Sequence, residues 1–141
     1  MPTMENRRPV TRKKVQDMLR RKLILDGLDM RGANLEGIEF DGASLRWAKL
    51  AEADLTGCTF RMADLTGASL WNANLSNAVF EKAILDDADL DMAIIEGCTF
   101  KDARIRKAIF PDATAHIEQI HDSVRTGLPI RQSANGAGDA K

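Results

Sequence analysis

The 141-residue sequence has no tyrosine, two tryptophans, two cysteines, two histidines and four prolines. Each scarcity excludes something. Two cysteines, Cys58 and Cys98, make neither a disulfide framework nor a metal site of any recognised spacing. The histidines, His116 and His121, are five residues apart, about 500° on a helix, so they cannot share a metal. The glycines precede no helix and form no phosphate-binding loop. No apolar run approaches the roughly 20 residues that span a bilayer, and no membrane partner is expected. The basic start has no apolar segment behind it and no small-residue cleavage site, so it does not read as a secretory signal and a cytoplasmic protein is expected.

Charge of one sign is also missing overall, with a net charge of -1, but the balance is uneven along the chain. Residues 1–24 carry +6, residues 25–112 carry -7, and the remainder is neutral. Such asymmetry steers partners without defining a fold.

What is present is a repeat. Every fifth residue from Leu25 to Phe110 is Leu, Ile, Met or Phe. Two positions before each, from Ala33 to Ala113, stands Ala, Ile38 or one of the cysteines. On an α-helix a five-residue step scatters side chains round the cylinder. On a flat strand it sends alternate ones to opposite faces. A chain that turns a corner every five residues gathers all of them inside. A second period fixes the number of sides: Phe40, Phe60, Phe80 and Phe100 recur every twenty residues, so four sides make one coil and the rings stack on one wall. The expected fold is an all-β solenoid, a quadrilateral β-helix of about 4.5 coils over residues 23–113, stacked at about 4.8 Å. Glycines such as Gly27, Gly57 and Gly97 lie two residues after a centre, where they suit type II corners. Asn72, Asn77, Asp87 and Asp102 hold the same place as turn formers.

Both ends need covers. Residues 11–22 read as a basic capping helix, with Thr11 as N-cap, Val15, Met18 and Leu19 as its apolar stripe, and Leu23 fed into the first coil. Its exposed face is either solvated or a contact for nucleic acid or another anionic surface. After Pro111, residues 114–126 read as a C-terminal helix whose stripe of Ile117, Ile120 and Val124 either plugs the last coil or joins two chains. Residues 1–10 are expected to be flexible and residues 127–141 a disordered tail.

A convex rod has no partly dry pocket in which to shift a carboxylate's pKa, so no catalytic, cofactor-binding or metal residues are expected. The outer surface carries the functional candidates. Trp47 and Trp71 point outward, and the cluster Asp86, Asp87, Asp89 and Asp91 is the densest set of acids. All six are candidates for binding a partner, tryptophan being enriched at contact sites. A tryptophan ring lying flat along a neighbouring corner is the other reading. The residues Asp41, Arg61, Glu81 and Lys101 form a ladder of alternating charge on the phenylalanine wall.

The stretches Ala33-Asn34-Leu35, Ala53-Asp54-Leu55, Ala63-Asp64-Leu65 and Ala88-Asp89-Leu90 resemble the A(D/N)LXX motif of the pentapeptide-repeat family. The resemblance implies a right-handed quadrilateral β-helix, usually capped by helices. It does not imply one activity. The Qnr and MfpA types bind DNA gyrase or topoisomerase IV as DNA mimics and join two chains at the C-terminal end. The expected function is therefore a non-catalytic protein-binding or scaffold module, with a topoisomerase-directed DNA mimic as the alternative.

Overall fold

The computed structural model describes residues 10–111 and 113–131, with 113–116 by backbone alone. The N-terminal residues expected to be flexible lie, apart from Val10, outside the described set, as do residues 132–141 of the expected tail.

Helix α1 runs Arg12–Arg20, and the Thr11 hydroxyl caps it by accepting from Lys14 N at 3.1 Å. Val15 is fully buried at the end of the core, and Met18 and Leu19 pack beside it. The helix stops two residues before the expected end, and Lys22 turns to φ 57°. Leu23 is not fed inward. Its N–H closes the helix on Met18 O at 2.9 Å, which turns the side chain into solvent, and Val15 fills the end of the core instead.

Every isolated bridge among the described residues is parallel and joins residues twenty apart, from Asp29↔Lys49 through Thr59↔Val79 to Asp89↔Ile109. One coil is therefore four sides of five residues. Side 1 is centred on Leu25, Leu45, Leu65, Leu85 and Ile105; side 2 on Met30, Leu50, Leu70, Leu90 and Phe110. Side 3 carries Leu35, Leu55, Leu75 and Ile95, and side 4 the phenylalanines. The Leu, Met and Phe centres of the interior coils are fully enclosed. On side 4 the rings stack nearly parallel with centroids 5.0, 4.9 and 5.2 Å apart, and Phe110 meets Phe100 edge-on at 5.6 Å. Offset aromatic pairs of this kind contribute about 0.5–1.5 kcal/mol each beyond burial.

The backbone hydrogen bonds repeat with the sequence. A central N–H donates to the next coil, as Leu25 to Ser44 O at 3.0 Å, and so does the corner residue, as Gly27 to Arg46 O at 2.9 Å. The residue before a centre donates to the coil below, as Lys49 to Leu28 O at 2.9 Å. The residue after the corner closes the turn, as Leu28 to Leu25 O at 3.1 Å. The corner residue alone has positive φ, the signature of a type II turn. Corners are not confined to Gly, Asn and Asp: Trp47, Glu52, Met62, Lys82, Met92 and Lys107 adopt φ between 58° and 65°. None is β-branched, the class for which this conformation is least accessible.

Helix α2, Ala113–Thr126, closes the other end. Ile120 is fully buried and Val124 packs on the core, whereas Ile117 stays exposed. Gly127, at φ 84°, ends the helix. The chain beyond it corrects the expected tail boundary, because residues 128–131 are placed against the last coil. Ile130 is buried; its carbonyl accepts from Gly97 N at 2.7 Å and its N–H donates to Cys98 O at 2.8 Å. An apolar segment standing next to an unpaired sheet edge stays with that edge, because both burial and hydrogen bonding favour it.

Candidate partner-binding face

The hydrogen-bond repeat leaves one N–H per pentapeptide unused by the ladder, that of the residue after each centre. This explains the acids. Where Asp or Asn precedes a centre, its carboxylate or amide oxygen accepts that N–H: Asp54 from Thr56 N at 3.1 Å, Asp64 from Thr66 N at 3.0 Å, Asn74 from Ser76 N at 3.0 Å, and Asp89 from Asp91 N at 2.9 Å. Elsewhere an Asp one coil below accepts it, as Asp26 from Arg46 N at 3.0 Å, Asp41 from Arg61 N at 2.8 Å and Asp86 from Arg106 N at 3.2 Å. Asx side chains serve here as local substitutes for a backbone acceptor.

Many carboxylates are also paired with cations. Arg61 bridges Asp41 at 3.7 Å and Glu81 at 3.3 Å, Arg46 reaches Asp64 at 3.8 Å, and Arg104 holds Asp86. The charge ladder on side 4 runs only from Asp41 to Glu81, because Lys101 turns away to donate to Arg125 O of α2 at 2.8 Å. Arg31 grips Asp29 through two hydrogen bonds of 2.8 and 2.7 Å, and this holds the Asp29 carboxyl at a pKa of about 2.

Of the four clustered acids, Asp86 and Asp89 are thus occupied by the fold, and Asp91 accepts from Met92 N at 3.0 Å. Asp87 sits exposed at a corner with φ 62°. Register nevertheless brings all six partner-binding candidates to one face. Trp47, Asp86 and Asp87 lie at the corner where the chain enters side 2, Asp89 lies on side 2 itself, and Trp71 and Asp91 lie where it leaves. Trp47 is 60% exposed and Trp71 41%. Exposed Met92 and Ile109 border the same face. Between the tryptophans stand Lys49 and Ser69, which were not singled out from sequence. The twenty-residue period, applied to outward positions as well as inward ones, is the signal that locates them.

The remaining residues offer little chemistry. Cys58 and Cys98 are buried, and their thiols donate to Leu35 O and Leu75 O, each at 3.0 Å. Burial pushes the Cys58 thiol up to about 11. Among the described residues no cluster of His, Cys, Asp or Glu could hold a metal ion, and no helix is long and apolar enough to cross a membrane. His121 is exposed on α2, and the side chain of His116 lies outside the described residues. Among the described residues, one groove lies at each end of the rod.

A tube with a packed interior, four walls and functional candidates only on its outside defines a repeat protein of the β-helical solenoid class. The family described as pentapeptide repeats (8 copies) matches residues 24–61 and 63–102, and the chain belongs to that family. Its known structures are right-handed quadrilateral β-helices. The chain is similar to HetL, a pentapeptide repeat protein involved in heterocyst differentiation regulation from the cyanobacterium Nostoc sp. strain PCC 7120. The identity there is 39%, the TM-score 0.62, and the match covers 64% of this chain and 41% of HetL. It thus spans about two fifths of that relative. It is also similar to alr5209 of Nostoc PCC 7120, at 26% identity and a TM-score of 0.62 over 81% of this chain and 97% of the other. AT2G44920, from the thylakoid lumen of Arabidopsis thaliana, shares the fold at 24% identity and a TM-score of 0.51, covering 95% and 96%. No curated protein sequence matches the chain significantly.

Proposed function

We propose that the chain is a non-catalytic binding module that holds a protein partner on side 2. In this reading the right-handed tube of roughly 4.5 coils, capped by α1 and α2, is a rigid stage. The observation that carries the proposal is the placement of Trp47 and Trp71, both exposed, at opposite corners of one wall. Aromatic anchors on a flat preformed surface lose little conformational freedom on binding, so more of the buried area appears as affinity. Trp47→Ala together with Trp71→Ala is expected to leave the melting temperature within a few degrees of wild type. The same pair should abolish crosslinking to the partner recovered from the native host. A large loss of stability with unchanged crosslinking would make the rings structural and sink the proposal.

The alternative of a DNA mimic directed at gyrase or topoisomerase IV is favoured by the net -7 of residues 25–112. Against it stands the pairing of Asp29, Asp41, Glu81, Asp64 and Asp86 with arginines, which neutralises part of that charge. A gyrase supercoiling assay at micromolar protein separates the two, inhibition being required of the mimic. For α2 the cap reading is preferred, since Ile120 and Val124 face the core and only Ile117 of that stripe is left for a second chain. A dimer mass by light scattering at high concentration would reverse that preference.

A further inference from the structure

Along the coils Arg31, Arg46, Arg61 and Arg104 each hold a carboxylate and Lys101 holds a carbonyl of α2, while Lys49, Lys82, Arg106 and Lys107 are spread over the walls among acidic residues. At the N-terminal end the situation differs. Arg12, Lys13, Lys14, Arg20, Arg21 and Lys22 are all exposed. Asp17 faces Arg20 and Arg21, while Arg12, Lys13, Lys14 and Lys22 form no ion pair among the described residues. Helix stability does not account for this placement. Cations in the last turn suit the negative end of the helix dipole, but Arg12, Lys13 and Lys14 crowd its positive end, and the first turn carries no acidic residue.

Two aliphatic side chains stand beside these cations. Leu23 and Ile24 follow the helix directly, and Ile24 is 69% exposed. Because Leu23 is held by Met18 and not seated over Ala43, a groove of about 400 Å³ opens between them, with Leu19, Lys22 and Asp41 on its rim, the Asp41 carboxylate being engaged by Arg61. The apolar stripe of α1 itself is committed to the core through Val15, Met18 and Leu19, so the helix cannot insert into anything.

An anionic bilayer surface favours both features at once: its headgroups attract the cations, and its interface accepts the aliphatic pair. A nucleic acid would use the cations alone, and the helix has no aromatic residue on which a base could stack. We propose that the N-terminal end of the rod, α1 with Leu23 and Ile24, is a peripheral docking site for an anionic lipid surface. The same surface repels the acidic body of the solenoid, with its net -7, so the rod stands on its N-terminal end and side 2 remains free for a partner. This is surface docking and requires no spanning segment.

Co-sedimentation with vesicles tests it. The full chain is expected to bind phosphatidylcholine vesicles containing about 30 mol% phosphatidylserine and not vesicles of phosphatidylcholine alone. Binding should vanish in about 0.5 M salt, where screening is strong. Neutralising each cation should weaken binding about five-fold, so Lys13→Gln with Lys14→Gln should weaken it about 25-fold. Ile24→Ser should weaken vesicle binding several-fold and leave any binding to duplex DNA unchanged. All three substitutions are at exposed positions, and an unchanged melting curve confirms that the fold is intact. The Trp47→Ala, Trp71→Ala protein should bind vesicles as wild type does, so failure of the side 2 reading is distinguishable from failure of this one. Equal affinity for neutral vesicles, no affinity for anionic ones, or tight DNA binding with no response of vesicle binding to Ile24→Ser would each overturn the proposal.

Discussion

The indole of Trp47 lies across the α-carbon of Gly67, one coil further on, so closely that a Cβ on Gly67 would fall 2.2 Å from the ring. Both occupy the same corner column, at φ 59° and 68°. The bare glycine gives the ring a flat seat, which partly offsets the cost of holding a tryptophan in the left-handed region. Gly57 has the same conformation, φ 70°, with open space around it. Gly57→Ala should therefore cost about 1–2 kcal/mol from backbone strain alone. Gly67→Ala should cost about 1 kcal/mol more, because the indole must leave its seat. Urea unfolding of both variants checks the difference, and adding Trp47→Ala to Gly67→Ala should remove the excess. Equal losses at the two glycines would show that the seat is worth nothing.

Asp64 caps an N–H that the ladder leaves unused, and that task needs an oxygen but no charge. Asp64→Asn should be nearly neutral, whereas Asp64→Ala strands the Thr66 N–H and removes the partner of its hydroxyl, which sits 2.6 Å from Asp64. A loss of about 1–2 kcal/mol is expected for the alanine. Thermal melts of the two variants at neutral pH decide it; an Asn variant as unstable as Ala would point to the Arg46 ion pair instead.

Phe80 stacks on Phe60 and on Phe100, 4.9 and 5.2 Å away. Phe80→Ala opens a cavity in the middle of the rod and should cost about 3–5 kcal/mol. Phe80→Leu keeps the volume closer and should cost less than half as much. If denaturant midpoints place the two variants together, the column is not close-packed.

The inward residues were legible because a core selects for size and polarity at a fixed spacing, and eighteen centres in succession leave one solution. The acids were harder to read. Asp86 and Asp89 looked like a free acidic cluster because nothing in the sequence says which N–H the ladder leaves over; that depends on how one coil registers on the next. The convergence of Trp47, Trp71 and the four acids on side 2 lay within reach of the twenty-residue period. The docking of Ile130 was not. Its partner strand is some thirty residues away, and the attraction comes from an edge that exists only once the tube has formed.

Asp29 and Arg31 supply a pH test. The guanidinium, with two short bonds to the carboxylate, lowers the Asp29 pKa from 3.8 to about 2. A lowered carboxyl pKa means the folded state holds this proton less tightly than the unfolded chain. The stabilisation is complete above pH 3.8 and is lost as the pH falls towards 2. Both side chains are about half exposed, so solvent screening keeps the effect on overall stability small. The sensitive readout is the carboxyl carbon shift in an NMR titration. Its midpoint should lie near 2 and move back towards 3.8 in Arg31→Ala. A midpoint that does not move would mean that the pair is absent in solution.

The C-terminal segment should behave as a substitute for the coil the array lacks. Phe100 N donates to Ser123 Oγ at 2.9 Å, Asp102 N to Val124 O at 2.9 Å, and Gly97 N to Ile130 O at 2.7 Å, so α2 and residues 128–131 take the places of ladder acceptors. Ser123 is buried, and Ser123→Ala leaves the Phe100 N–H without an acceptor, for an expected loss of about 1–3 kcal/mol. Ending the chain at Gly127 removes Ile130 from Cys98, whose carbonyl it binds at 2.8 Å. Burial raises the Cys98 thiol pKa, so in the full chain it should resist a thiol reagent at pH 8. In the shortened chain Cys98 should react while Cys58, two coils deeper, stays protected. This difference between two thiols in one column reports on the cap and not on global unfolding. If both remain protected and the melting temperature is unchanged, residues 128–131 add nothing to the closure of the tube.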